Sequence, residues 1–416
     1  MNGSPEVKID DKQRPFLLHV LRGWGSTVPL LSDKLSRVRG TPEGAIGAVR
    51  GGGYLIRTCE SSIAVDPGFQ FVENFLESGL PFSGVDSIIV THDHPDHSDD
   101  LWSFDNLMYE MFNRAERKDC WRYRLYVDSD THARWEVRER RYGNRPNSFR
   151  QTLSVTKLDA ESLVHRGNEG EKYREVSVPF VPYVQRPQET YSKGAEGTSR
   201  EEHAEVGYSI KNGLKLRYWR TQHALDVLNS IGFSLRLGDD FIAGGATNTT
   251  NLLAYSSDAS SVRESQFFDE AVRSVTVLVH VSEPELLELS TGGLFRKPDH
   301  MGLYGLFDLV KAIADSKGHK TKLLVVGEFW GGKGDTRRFI IRQVRYWLDL
   351  FDLKDIGVVP SDIGLKVDLM KGEVMCSGCS GWFEGCRIRS WRSSHGYSRF
   401  SYLCHTCEKA IDSGNR

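Results

Sequence analysis

Three histidines and an aspartate fall within six residues: His92, His94, Asp96 and His97, in the run Thr-His-Asp-His-Pro-Asp-His. Histidines two apart at the end of a strand point the same way, and an Asp-His pair directly after them can turn toward a second ion. The pattern therefore suits two metal ions side by side. Imidazole and carboxylate donors match Zn²⁺, Mn²⁺ or Fe, and ions about 3.5–4 Å apart can acidify water and clamp a phosphoryl or carbonyl oxygen. A second constellation, Cys376-x2-Cys379 with Cys404-x2-Cys407, is a pair of knuckles whose thiolates complete one tetrahedral Zn²⁺ site. So short a tail buries little apolar surface, so the ion would supply most of its folding free energy. Cys386, His395 and His405 are further donors nearby, but they do not fill a second tetrahedral site.

The histidine run needs a rigid support, and the apolar, β-branched stretch VDSIIV before it reads as a buried strand that delivers it. Residues leaving strand ends are where ligands collect in layered α/β architectures. Upstream, FLLHV leads into the Gly-rich turn LRGWGSTVP, and GYLIRT and SSIAVDPG read as two more strands. Residues 101–124 read as a helix that becomes basic, with RLYVD as the next strand. From 141 to 205 the chain is polar and irregular, and reads as an exposed insertion able to act as a lid. Strands return with GYSI, LKLRYW, GFSLRL, NLLAYSS and SVTVLVHV. A helix over 302–316, the strand KLLVVGEF and the helix RRFIIRQVRYWLDLF follow. Composition changes near residue 370. The expected organisation is a leader over 1–15, one domain over 16–365 and a small cysteine domain over 370–412.

The run Thr91–His97 resembles the signature of the metallo-β-lactamase superfamily, and the likeness extends over most of residues 16–350. LRGWGSTVP is similar to the opening of its phosphodiesterase branch, which includes the tRNA 3′-processing ribonucleases. The resemblance implies an α/β fold, a four-layer αββα sandwich, here joined to a small zinc-ribbon-like C-terminal domain. It implies that His92, His94 and His223 hold one metal, that Asp96, His97 and His300 hold the other, and that Asp258 bridges them. Asp66 matches the aspartate that buttresses the metal loop. Asp96 would also orient water or accept its proton. His203 competes with His223, but lies in a Glu-rich loop rather than after a strand. His280 ends SVTVLVH at the separation from His300 where that branch places a proton donor to the leaving oxygen. It is followed by Val-Ser-Glu instead of Glu-Ala-Thr, which puts Glu283 two positions late.

The bulk properties are compatible with this. At 39% hydrophobic and 26% charged residues, with a net charge of −2, the chain has no global pull toward nucleic acid. Local patches would have to supply it. Arg387, Arg389, Arg392 and Arg399 are interleaved with Trp382, Phe383, Trp391, Tyr397 and Phe400 in the tail, which suits either base stacking or the core of a protein-interaction module. Residues 114–150 hold eleven Lys or Arg against six Asp or Glu, a mixture that also fits a solvated helix face. No signal peptide or membrane span is evident and five of the seven cysteines crowd the tail, so a reducing cytoplasmic location without membrane association is expected.

The function expected from all this is metal-dependent hydrolysis of a phosphodiester in a nucleic acid or nucleotide, with Asp96 and His280 as the catalytic residues. No counterpart of the family's glycine-rich tRNA-gripping arm is evident. Two alternatives stand beside it: hydrolysis of a lactone, thioester or amide on the same centre, and a zinc-finger adaptor with a non-catalytic hydrolase platform. Two active-site Zn²⁺ (or Mn²⁺ or Fe) and one structural Zn²⁺ are expected. A protein partner for the zinc finger and a homodimer are left open.

Overall fold

Alternation of apolar side chains along the strands dictates layering, because successive residues face opposite sides of a sheet. The computed structural model describes residues 14–23, 51–58, 62–114, 123–141, 153–160, 163, 171–178, 214–221, 223, 229–237, 251–259, 266–281, 301–327, 337–393 and 400–413. The first half runs β1 (Phe16–Val20), β2 (Tyr54–Thr58), β3 (Ser62–Val65), α1 (Phe71–Glu77), β4 (Val85–Val90), α2 (Pro95–Ser98), α3 (Leu101–Arg114), β5 (Tyr123–Asp128), α4 (Ser129–Arg141), β6 (Leu153–Leu158) and β7 (Arg174–Val178). The second runs β8 (Leu214–Arg220), β9 (Ile231–Leu237), β10 (Asn251–Tyr255), α5 (Gln266–Ala271), β11 (Ser274–His280), α6 (Leu303–Asp315), β12 (Leu323–Gly327), α7 (Arg337–Leu350), β13 (Gly357–Pro360), β14 (Lys366–Asp368), β15 (Glu373–Met375), β16 (Trp382–Glu384), β17 (Ile388–Ser393), β18 (Phe400–Cys404) and α8 (His405–Asp412).

These strands make a nine-stranded sheet ordered β16-β15-β14-β1-β2-β3-β4-β5-β6, a seven-stranded sheet ordered β13-β12-β11-β10-β9-β8-β7, and the ribbon β17-β18. Ile56, Ile63, Ile89 and Tyr126 of the first sheet share one buried cluster with Phe233, Leu235, Leu278 and Val325 of the second, so the sheets pack face to face. The alternate residues Leu55, Ala64, Ile88 and Val127 meet Phe71, Phe75, Phe104 and Met108 from α1 and α3 on the outer side. Val277, Val279, Leu324 and Val326 do the same against α5, α6 and α7. The result is the expected αββα sandwich. No helix among the described residues is long and apolar enough to cross a membrane.

Two expectations about organisation need correction. The stretch 141–205 is not all loop: β6 pairs parallel with β5, and β7 pairs antiparallel with β8, each closing one edge of a sheet. Both strands are half exposed, with alternating exposed and intermediate residues, so their sequences read as polar coil. Residues 142–152, 161–162, 164–170 and 179–205 of that stretch lie outside the described residues, as do the strand expected at GYSI and residues 1–13 of the expected leader.

Nor does the chain break near residue 370. β14 pairs with β1, β15 with β14 and β16 with β15, so the cysteine-rich segment begins as the edge of the first sheet. Val374, Ile388, Phe400 and Tyr402 belong to the cluster between the sheets. Phe400 N donates to Asp362 Oδ2 at 3.0 Å, and the Tyr402 hydroxyl donates to the Pro360 carbonyl at 2.7 Å. Arg337, fully buried, pairs with the same Asp362 oxygen at 2.8 Å and lies 3.9 Å over the Phe400 ring. At the start of β13, a Cβ on Gly357 would lie 2.3 Å from the Gly385 carbonyl carbon, so the tail seats backbone against backbone there. A composition shift toward Cys, Arg and Trp conceals this continuity, because strands of three residues carry almost no periodic signal.

Candidate metal centre

The donors stand at strand ends or in the turn and short helix that follow one. β3 and β4 are parallel, as are β10 and β11, so their C-terminal ends open on common edges. Asp66 follows β3, His92 follows β4, Asp258 follows β10 and His280 is the last residue of β11. Beyond His92 the chain turns into α2, with His94 as its N-cap and Pro95 in its first position, where a missing N–H costs nothing. That turn presses against Gly68, where a Cβ would come within 1.7 Å of the Asp96 carbonyl oxygen. Only glycine fits. His223 lies just beyond β8 on the facing sheet.

Two donor groups result. Ligand atoms of His92, His94, His223 and Asp258 all lie within 4.8 Å of one another, as do those of His97, Asp258 and His280. Asp258 is common to both and divides its oxygens between them. Its Oδ2 lies 3.3 Å from His92 Nε2 and 3.1 Å from His223 Nε2. Its Oδ1 lies 3.6 Å from His97 Nε2 and 2.5 Å from His280 Nδ1. His94 Nδ1 is 3.1 Å from His223 Nε2. Asp96 reaches the second group with Oδ2, 3.7 Å from His97 Nε2. His300 and His203 lie outside the described residues.

A further layer aims these donors. Asp66 Oδ1 accepts from Thr91 N at 2.8 Å, while Oδ2 accepts from Thr91 Oγ1 at 2.9 Å and from the Tyr255 hydroxyl at 3.0 Å, and lies 2.9 Å from His97 Nδ1. That contact turns His97 Nε2 toward Asp258. Thr91 Oγ1 lies 3.2 Å from His92 Nδ1 and accepts from Ser257 Oγ at 2.8 Å. Asp66 and Ser257 both adopt left-handed backbone, with φ of 47° and 49°. Strain of this kind gathers at functional sites. The fully buried Arg22 donates through Nη1 to the Asp96 carbonyl at 2.8 Å, and its Nη2 lies 3.3 Å from Asp96 Oδ2.

The electrostatics follow from burial and crowding. Burial, then the neighbouring His92, holds the His97 imidazole well below the usual histidine range. His94 is lowered by burial and by His92 and His223. Burial opposes ionisation of Asp258, but His280, His97 and His92 outweigh it and hold the carboxyl well below the usual range. Burial raises Asp66 to about 6 against the pull of His92 and Thr91. Burial lowers His92, but Asp258, Asp66 and Asp96 outweigh it and raise the imidazole, so it is His94, His97 and Asp258 that lean toward the neutral-imidazole and carboxylate forms that ligate cations. The donor set therefore fits divalent cations.

The cysteines also converge: Sγ atoms of Cys376, Cys379, Cys404 and Cys407 lie within 4.8 Å of one another, and none of these residues is in a disulfide. Cys376 and Cys379 sit on the turn between β15 and β16, Cys404 ends β18 and Cys407 lies in α8. Burial works against ionisation of Cys376, yet N–H bonds from Cys404, Cys379 and Gly378 bring it down to about 7. Burial and the neighbouring thiols push Cys379 up and Cys407 up to about 12, so it is the convergence of four sulfurs that suits a zinc ion. Of the tail aromatics expected to stack on bases, Phe400 is buried and Phe383 packs against the core. Tyr397, Arg399 and His395 lie outside the described residues, as do 115–122 and 142–150 of the basic stretch. Within α4, Arg134 pairs with Asp93 at 2.6 Å, and Arg138 lies 4.6 Å over the Trp102 ring.

Sequence reasoning missed Arg22, Tyr255 and Ser257. Arg22 had one legible signal, a charge ending the apolar run FLLHVL, because charges in such places are kept only when paired. The hydroxyls had none.

No family model matches the sequence, and no curated protein matches it. Solved structures do. The long form RNase Z from yeast superposes with a TM-score of 0.53 at 13% identity, over 89% of this chain and 43% of that one. This chain thus spans under half of the yeast protein's length. The metallo-β-lactamase fold protein YhfI from Bacillus subtilis gives a TM-score of 0.46 at 11% identity, over 85% of this chain and 98% of that one. The short form of human tRNase Z gives 0.45 at 11% identity, over 84% and 98%. At these identities the likeness concerns architecture. The chain has the metallo-β-lactamase fold.

Proposed function

We propose that this metallo-β-lactamase-fold chain is a metal-dependent hydrolase of phosphodiesters in a nucleic acid or nucleotide. The observation that carries the reading is Asp258, whose two oxygens each face a separate group of imidazoles. One group, His92, His94 and His223, would hold one ion. His97 and Asp96 would hold the other, with His300 from outside the described residues as the third donor implied by the resemblance. Paired divalent cations supply Lewis acidity there, acidifying water and offsetting charge on a phosphoryl oxygen.

The chain's own residues supply the rest. Asp66 holds the proton on His97 Nδ1, which leaves Nε2 as a donor. Asp96, whose side chain is 18% exposed and reaches to 3.7 Å from His97 Nε2, serves as the proton acceptor of the attacking water. His280 donates a proton to the leaving oxygen. Its Nδ1 lies against Asp258 Oδ1 and its backbone N donates to Ser256 Oγ at 2.8 Å, so the ring is held while its other nitrogen delivers the proton. Support for phosphorus over carbon comes from this positioned acid together with the likeness to the yeast RNase Z fold. The four tail cysteines would hold one structural zinc.

Purified protein, loaded with Zn²⁺ or Mn²⁺, should hydrolyse bis-p-nitrophenyl phosphate and single-stranded RNA, single-stranded DNA or cyclic nucleotides. His280→Ala should slow the reaction by about 10²–10⁴-fold. Activity on p-nitrophenyl esters or lactones alone would overturn the reading in favour of carbonyl chemistry. Turnover unaffected by Asp96→Ala and His94→Ala would overturn it in favour of a non-catalytic platform.

A further inference from the structure

We propose that Arg22 is a positioning residue for the second donor group, gripping Asp96 at two points and so fixing where Asp96 and His97 can hold a cation beside Asp258. The inference rests on the reading that this centre binds metal. A guanidinium removed from water is costly unless its charge and its N–H groups are matched. Arg22 is 0% exposed, and it grips Asp96 at two points: Nη1 donates to its carbonyl at 2.8 Å and Nη2 approaches its Oδ2 at 3.3 Å, with the Gly52 carbonyl 3.4 Å from Nη1.

Asp96 needs such a partner. It sits in α2, a helix of four residues, which is too short to fix a side chain by packing. Two other donors of the loop have their own supports: His97 has Asp66, and His92 has Thr91 and Ser257. The Asp96 oxygen that approaches Arg22 is the one that approaches His97 Nε2. Arg22 thus does for Asp96 what Asp66 does for His97. The double grip also explains the residue type, since a planar fork reaches a carbonyl and a carboxylate at once and an ammonium does not. A positive charge beside a cation site opposes loading, so its retention there is accounted for by geometry rather than by attraction for the ion.

The test is a Co²⁺ titration of the metal-stripped full chain, followed by calorimetry and by absorption, in which thiolate charge-transfer bands separate the cysteine site from the histidine groups. Wild type should load both histidine groups. Arg22→Lys should weaken one of those two ions by about tenfold or more, alter its d–d spectrum, and leave the other ion and the thiolate bands unchanged. In an Asp96→Ala background the same substitution should cost nothing further. Arg22→Met should weaken the same ion at least as much. Should Arg22→Met fail to fold, the Lys variant and the double-mutant comparison carry the test. Equal weakening of both ions, unchanged affinities, or an additive loss on Asp96→Ala would overturn the proposal. A wild-type chain that binds ions through the thiolates alone would instead overturn the underlying reading, and this one with it.

Discussion

Asp66 Oδ2 and His97 Nδ1 lie 2.9 Å apart, with both side chains wholly buried. A carboxylate in that place fixes the tautomer of the ring, because only a protonated Nδ1 can meet it. Asp66→Asn would leave the packing intact but could present an N–H to the same nitrogen. Cation affinity of the histidine groups should fall by about 10–100-fold, measured by competition with a zinc chelator. Unchanged affinity would mean that the loop is held by Thr91 alone.

Metal analysis of the purified chain should return about three ions, two in the histidine groups and one in the cysteine site. His223→Ala should remove one of the first two, because its Nε2 faces only the Oδ2 side of Asp258. A stoichiometry unmoved by that change would place His223 outside the donor set.

Truncation after residue 365 should not release a stable hydrolase domain. It would strip Val367, Val374, Phe400 and Tyr402 from the cluster between the sheets and leave Arg337 without Phe400 above it. Insoluble or unfolded product is expected by circular dichroism. A soluble, cooperatively melting fragment would show that the tail is separable after all.

Asp362→Ala should cost about 3–5 kcal/mol in urea unfolding, because it removes the carboxylate paired with the buried Arg337 guanidinium and the acceptor for Phe400 N. A loss of less than about 1 kcal/mol, typical of exposed pairs, would show that water reaches Arg337.

His19 gives the fold an acid limit. Burial, with Lys366 and Arg57 adding to it, lowers its imidazole to about 3. The unfolded chain binds this proton below about 6.5 and the folded chain does not, so stability is complete above that pH and declines as pH falls toward 3, by up to about 1.4 kcal/mol per unit. His19→Gln should flatten the pH dependence of urea midpoints between pH 7 and 5. A slope equal to wild type would assign the acid limit to other groups.

How much of this was legible in the sequence depended on distance along the chain. VDSIIV and the run Thr91–His97 are local patterns, and the strand and its loop stand where they were expected. His223 and Asp258 could be chosen only through a family resemblance, since nothing within a few residues of either marks it as a donor. Asp66 and Tyr255 meet across 189 positions, and Arg22 and Asp96 across 74, so no window holds both partners. β6 and β7 were hidden by polar edge positions, and β14–β16 by their shortness.

The donors are contributed by both sheets: His92, His94 and His97 by the loop after β4, and His223, Asp258 and His280 by the ends of β8, β10 and β11. A chain that has completed only the first sheet owns three histidines and no carboxylate bridge. If the centre binds cations as proposed, their capture would wait until the two sheets had docked, which would make it a record of correct assembly as much as a preparation for chemistry. An ion arriving early would find only a partial claw and one arriving late would seal the joint, so retention of metal in a dilute chelator would report on the closure of the sandwich.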